Sequence, residues 1–112
     1  MLPREHRLQS GDSFREAVRR GRRSGGRLLV LHLWTTQEAE SPARVGFVVS
    51  KTVGNAVTRN RVKRRLRHLA RERIHSLPGS AVLVVRALPA SAEASYDALG
   101  AELDRALGRV TS

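Results

Sequence analysis

The segment Lys51-Thr-Val-Gly-Asn-Ala-Val-Thr-Arg-Asn-Arg-Val-Lys-Arg-Arg-Leu-Arg-His68 carries the most distinctive chemistry in the chain. Residues 51–75 hold nine of the 21 lysines and arginines and one acid, Glu72. An arginine offers phosphate a planar fork and can stack on a base, whereas a lysine is a point charge. Placed on a helix, Val62, Leu66, Leu69 and Ala70 fall on one side and bury. Asn60, Arg64, Arg67 and Arg71 fall near the opposite side, flanked by Arg61 and His68. Arg59 and Arg65 lie closer to the apolar stripe and border a groove. Like charges at this spacing repel one another, as in the i,i+4 pair Arg61 and Arg65. A polyanion relieves that cost; a solvated basic helix without a partner is the plainer alternative. Asn60 stands between two arginines. Its amide can read a base edge or a 2′-hydroxyl, or it can simply cap the start of the helix. Gly54-Asn55 fits an anion-binding turn at a helix N-terminus or an ordinary turn.

A second set of residues points to a cleft. In one apolar stretch Leu29, Leu31 and Leu33 alternate with Leu28, Val30, His32 and Trp34. In another, Val45, Phe47 and Val49 alternate with Arg44, Gly46, Val48 and Ser50. One alternating set forms a core face. The other mixes His32, Arg44, Gly46 and Ser50, which are too polar and too small for a packed interior, so an open groove is expected there. Phe14 and Val18, one helical turn apart, wall it. An aromatic ring in that place stacks an unpaired base, a contact of about 1–3 kcal/mol, or else plugs the edge of the core.

Catalysis by the chain itself is poorly supported. A two-metal nuclease needs clustered carboxylates, and Asp12, Glu16 and Glu72 are scattered. Histidine catalysis needs two imidazoles converging on one phosphate. His68 and His75 are seven residues apart on the basic surface and are better placed for backbone contacts. No catalytic residue and no protein metal site is therefore expected. The absence of cysteine excludes thiolate nucleophiles, disulfides and cysteine zinc sites. The start of the chain has no apolar signal core, and apolar runs such as Leu28–Leu31 are far too short to span a bilayer. A cytoplasmic protein with no membrane partner is expected.

The elements that must position these groups are few. A chain of 112 residues suits one domain, here 1–112, with a core built from Leu, Val and Ala because aromatics make up only 4%. The net charge of +11 attracts polyanions. Nineteen of the 21 cations are Arg, which fits phosphate recognition and equally an Arg-rich genome. Residues 1–11 read as an extended arm. A short helix follows, with Ser13 and Glu16 at capping-box spacing, Asp12 as an alternative cap and Gly21 as its stop. Arg27–Thr35 and Ala43–Ser50 read as strands joined by the polar turn Thr36–Pro42, hence as a hairpin. Val57–His75 is the longest helix, Ser80–Arg86 a third strand and Ala92–Leu107 a last helix. In that helix Tyr96, Leu99, Leu103, Ala106 and Val110 pack inward, while Asp97, Glu102 and Asp104 face elsewhere. The order αββαβα predicts an α+β fold, an α-β sandwich.

The run Gly54-Asn55-Ala56-Val57-Thr58-Arg59-Asn60-Arg61-Val62-Lys63-Arg64 resembles the "RNR" signature of the bacterial ribonuclease P protein family. Leu2-Pro3, Arg7-Leu8, Phe14, the stretch Val45–Lys51 and the stretch Val82–Arg86 match in order and spacing, so the resemblance covers nearly the whole chain. It implies a sandwich similar to a ribosomal-protein domain, with a left-handed βαβ crossover through the basic helix, against the general rule of handedness. It also implies an RNA subunit that carries the chemistry with Mg²⁺, removing the 5′ leader from precursor tRNA. By position, Arg59, Asn60, Arg61, Lys63, Arg64, Arg65, Arg67, His68 and Arg71 would contact ribonuclease P RNA. Phe14, Val18, His32, Val48, Ser50, Lys51, Thr52 and Arg86 would line the cleft for the leader. Val18 and His32 stand where relatives often have aromatics, Val48 where a small hydroxyl is usual, and Thr52 where a second lysine is common. The cleft therefore has less stacking and one fewer cation. Competing classes are a ribosomal or chaperone-type RNA-binding protein, and a duplex DNA binder, which a helix buried along one face disfavours.

Overall fold

The computed structural model describes residues 2–9, 11–35 and 41–112. Its elements are α1 (Gly11–Arg20), β1 (Arg22–Gly25), β2 (Leu29–Thr35), β3 (Arg44–Val48), α2 (Ala56–Arg73), β4 (Ala81–Ala87) and α3 (Tyr96–Thr111). The fold is mixed α+β, as expected, with one more strand. The short strand β1 was absent from the sequence reading because Arg22-Arg23-Ser24-Gly25 has no β-branched or aromatic residue to mark it. Most of the turn expected at Thr36–Pro42 lies outside the described residues. In the arm, Arg4–His6 form a 3₁₀ turn, and Arg7 bridges to Val45 in parallel.

The sheet runs β1-β2-β4-β3. The expected hairpin is therefore corrected: β2 and β3 do not pair. β4 lies between them, antiparallel to β2 and parallel to β3. The physical reason is burial. Ala81–Val85 are each 2% exposed or less, and a strand apolar on both faces belongs at the centre of a sheet. β3, α2 and β4 thereby form a βαβ unit, a parallel pair joined through a helix.

Helices cover both faces. Leu29, Leu31, Leu33, Val45, Leu83 and Val85 join Val62, Leu66 and Leu69 of α2 and Leu99, Leu103 and Val110 of α3 in the main core. Each fully buried leucine contributes about 1.5–3 kcal/mol relative to exposure. On the other face Ala17 of α1 sits on Val82 and Val84, with Phe14, Trp34 and Val48 around them. That face is thus not the open groove expected. α1 lies across it, and only what α1 leaves uncovered can form a cleft. Gly46 permits this, since a Cβ there would lie 2.4 Å from the Phe14 ring.

Two helix assignments shift. α1 begins at Gly11, so Ser13 lies within its first turn rather than at a cap. α3 begins at Tyr96, capped by the Ser95 hydroxyl, which accepts from the Ala98 N–H. Glu102 overturns its expected place. It is 4% exposed, and its Oε2 accepts the amide N–H groups of Leu28 at 2.7 Å and Leu29 at 2.5 Å. Tyr96, expected inside, is 38% exposed.

Candidate RNA interface

α2 opens at a cap that uses a side chain: Asn55 Oδ1 accepts from the Thr58 N–H at 2.9 Å. Asn55 being the cap, Asn60 is not. Asn60 lies in the body of the helix and is exposed. Val62, Leu66, Leu69 and Ala70 are buried, which turns Asn60, Arg64, Arg67, His68 and Arg71 to the surface. Arg59, Arg61, Lys63 and Arg65 are half-buried along the border. Two of these also brace the fold. Arg61 donates to the Ala92 carbonyl at 2.9 Å, and Arg65 donates to the Ala94 carbonyl at 3.2 Å. Both tie the helix to the segment before α3, and each guanidinium keeps further N–H groups. Beyond Arg71 the charge is neutralised. Arg73 makes two hydrogen bonds to Asp104, at 2.5 and 3.2 Å, which raise its pKa and hold the Asp104 carboxyl below its ordinary range. The cationic face therefore ends two residues before the helix does.

The residues expected to line the cleft divide into three groups. Phe14 and Val48 pack against the small cluster of Ala17, Val82 and Val84. Val18, 39% exposed, follows one turn after Phe14 on α1. Val48 and Arg86 are register partners, so the sheet places the cation beside the apolar wall. Ser50, Lys51 and Thr52 are exposed in the turn between β3 and α2, where the Ser50 and Thr52 hydroxyls share a hydrogen bond of 2.7 Å. His32 differs from the rest. It is 6% exposed and lies on the floor, in register with Arg23 on one side and Val84 on the other. Its Nδ1 is buried without a partner. Burial first, and then the charges of Arg86 and Arg23, push its pKa down, so the ring is held neutral.

Sequence reasoning missed the wall that the arm provides. A groove of about 470 Å³ runs between the arm, the outer edge of β3 and α2, with Arg7, Gln9, Phe14, Phe47, Lys63 and Arg67 among its lining residues. The arm is anchored. Leu2 is 2% exposed in the main core, His6 Nδ1 lies 2.7 Å from the Ala43 carbonyl, and Leu8 N–H donates to the Val45 carbonyl at 3.0 Å. The Arg7-Leu8 pair was visible in the sequence, but nothing local marks a pairing with a strand 37 residues on. Among the described residues no three histidine or acidic side chains group to hold a metal ion. No described helix is long and apolar enough to cross a membrane.

A family model described as Ribonuclease P matches residues 2–111. A ribonuclease P protein component from Nocardioides sp. is 64% identical over 111 residues, covering 98% of this chain and 95% of its own. One from Streptomyces avermitilis is 51% identical over 117 residues, covering 98% and 95%. Among solved structures, a mutant of the Staphylococcus aureus RNase P protein with defective mRNA degradation activity superposes with a TM-score of 0.86. It is 24% identical and covers 95% of this chain and 88% of its own. The Thermotoga maritima RNase P protein superposes with a TM-score of 0.75 at 20% identity, covering 93% and 94%. At these identities the two structures speak for the fold.

Proposed function

Since the chain belongs to the ribonuclease P protein family, we propose that it is the RNA-binding protein subunit of that enzyme and assists an RNA subunit in removing the 5′ leader of precursor tRNA. The observation that carries this reading is the exposed face of α2. Asn60, Arg64, Arg67, His68 and Arg71 stand on a helix whose opposite side is locked in the core. Such a surface offers phosphate forks at fixed spacing, with one amide able to tell a base edge or a 2′-hydroxyl from a phosphate. Arg59, Arg61, Lys63 and Arg65 border the same contact. The leader lies across the uncovered part of the sheet. Phe14, Val18 and Val48 supply apolar surface there, Arg86, Lys51 and the hydroxyls of Ser50 and Thr52 meet its backbone, and His32 forms the floor.

The chemistry is assigned to the RNA subunit. Among the described residues no three acids or histidines group to fit a Mg²⁺ site: Glu72 alone stands on α2, Glu102 is buried against backbone amides, and Asp104 is paired with Arg73. The Mg²⁺ of the reaction is therefore assigned to RNA, and the enzyme to the cytoplasm.

The deciding experiment is cleavage of a 5′-labelled precursor tRNA at low Mg²⁺ by RNA subunit alone, by protein alone and by both. Efficient cleavage at the mature 5′ end by the combination only is expected. Cleavage by rigorously RNA-free protein would overturn the division of labour. Tight RNA binding with no effect on cleavage would favour a ribosomal or chaperone role.

A further inference from the structure

We propose that the groove between the arm, the edge of β3 and α2 holds a single unpaired nucleotide of the RNA subunit, a contact beside the leader cleft that shares only the Phe14 ring with it. The proposal rests on the ribonuclease P reading and adds a site to it. The groove is apolar at its base, where Phe14 and Phe47 lie, and cationic at its rim, where Arg7 comes from the arm and Lys63 and Arg67 come from α2. That pairing of an apolar floor with cations from two sides suits a base and its own phosphate. A duplex backbone offers phosphates but no exposed base to fill such a floor, and an apolar peptide leaves three cations unanswered.

The groove is also preformed. Arg7 Nε donates to the Leu2 carbonyl at 3.0 Å, and Leu2 is buried in the main core, so the arm carries its cation from a fixed base. Lys63 and Arg67 are one turn apart on α2, and the helix is fixed by its buried side. A nucleotide entering here meets walls that are already ordered, which reduces the entropy cost of binding. Because Lys63 and Arg67 belong to the basic helix as well, the nucleotide would sit at the rim of the α2 contact, flipped out of whatever helix the arginine face grips.

Photo-cross-linking in the full holoenzyme tests this. Benzoylphenylalanine replaces Gln9, an exposed groove residue outside the α2 face, and in a separate protein it replaces Asn60 as a control on that face. Primer extension along the RNA subunit then reads each cross-link. One dominant stop from position 9, at an unpaired nucleotide, is expected. A second measurement uses Arg7→Gln, with the salt dependence of binding to the RNA subunit as the readout. Loss of one phosphate contact lowers the slope of log K against log salt by about 0.7–0.9. A circular-dichroism melt confirms that the arm variant is folded; should it melt early, Arg7→Lys keeps the charge and is expected to restore the slope. A silent position 9 beside a cross-linking position 60, or an unchanged slope in folded Arg7→Gln, overturns the groove while leaving the subunit reading intact. Failure of the unmodified protein to bind the RNA subunit at all would instead overturn the subunit reading.

Discussion

His32 shows how a residue can look like a ligand-binding group and still be buried. Its position was legible from the alternation along β2, but its depth was not, because α1, expected only to wall a groove, packs Ala17 onto the centre of that face. The imidazole now has an orphan Nδ1, little contact with water and two arginines nearby. All of these disfavour the charged form. Its folded pKa lies below the ordinary 6.5 that the unfolded chain retains. Between those two values the unfolded chain binds more protons, so stability rises with pH across the window and is lost as pH falls through the folded value. The expectation is that urea midpoints drop as pH is lowered below 6.5 in the wild type, and drop less in His32→Phe, which keeps a ring but cannot titrate. Parallel curves for the two proteins would mean that the ring reaches solvent as it stands.

At the scale of elements, periodicity was a good guide wherever burial is one-sided. The buried stripe of α2 and the sites Leu99, Leu103, Ala106 and Val110 of α3 follow the helical repeat. Pairing was a poor guide, because a strand order of β1-β2-β4-β3 depends on contacts between distant segments, while a short link between two strands favours a hairpin on paper. Glu102 is the sharpest case. A charged residue in a helical pattern reads as solvent-facing, yet its carboxylate enters the sheet layer and accepts two amides at the start of β2. Gly26 makes room for it, since a Cβ there would lie 2.8 Å from the carboxyl carbon. Removing the acceptor leaves two buried N–H groups without partners, at about 1–3 kcal/mol each. Glu102→Ala is therefore expected to lower stability by about 2–4 kcal/mol and to speed hydrogen exchange at Leu28 and Leu29 first. Glu102→Gln keeps a carbonyl oxygen for the same amides and should cost clearly less. If the two variants are equally harmful in urea titrations, the charge and not the acceptor is what the turn requires.

Across the whole molecule, the net charge of +11 on 112 residues means that a surface charged to attract RNA works against the free protein. That much was legible in composition alone. The structure adds where the conflict sits. Arg73 is compensated by Asp104, but Arg64, Arg67 and Arg71 share one exposed face at i,i+3 and i,i+4 spacing, and no side-chain carboxylate is seen paired with them among the described residues. Like charges at this spacing destabilise a helix by about 0.2–0.5 kcal/mol per pair. Binding and folding should therefore respond in opposite directions. The triple variant Arg64→Gln, Arg67→Gln, Arg71→Gln is expected to gain stability at low salt, by roughly 0.5–1 kcal/mol from its relieved pairs. The gain should fade as added salt screens the same repulsion in the wild type. The variant should at the same time lose most of its affinity for the RNA subunit, and the slope of log K against log salt should fall by about 2–3 if each side chain meets a phosphate. Thermal melts and binding titrations over one common series of salt concentrations measure both effects. A triple variant that is less stable than the wild type at low salt would show that these arginines are held by the fold itself, and α2 would then be a braced structural helix before it is an RNA surface.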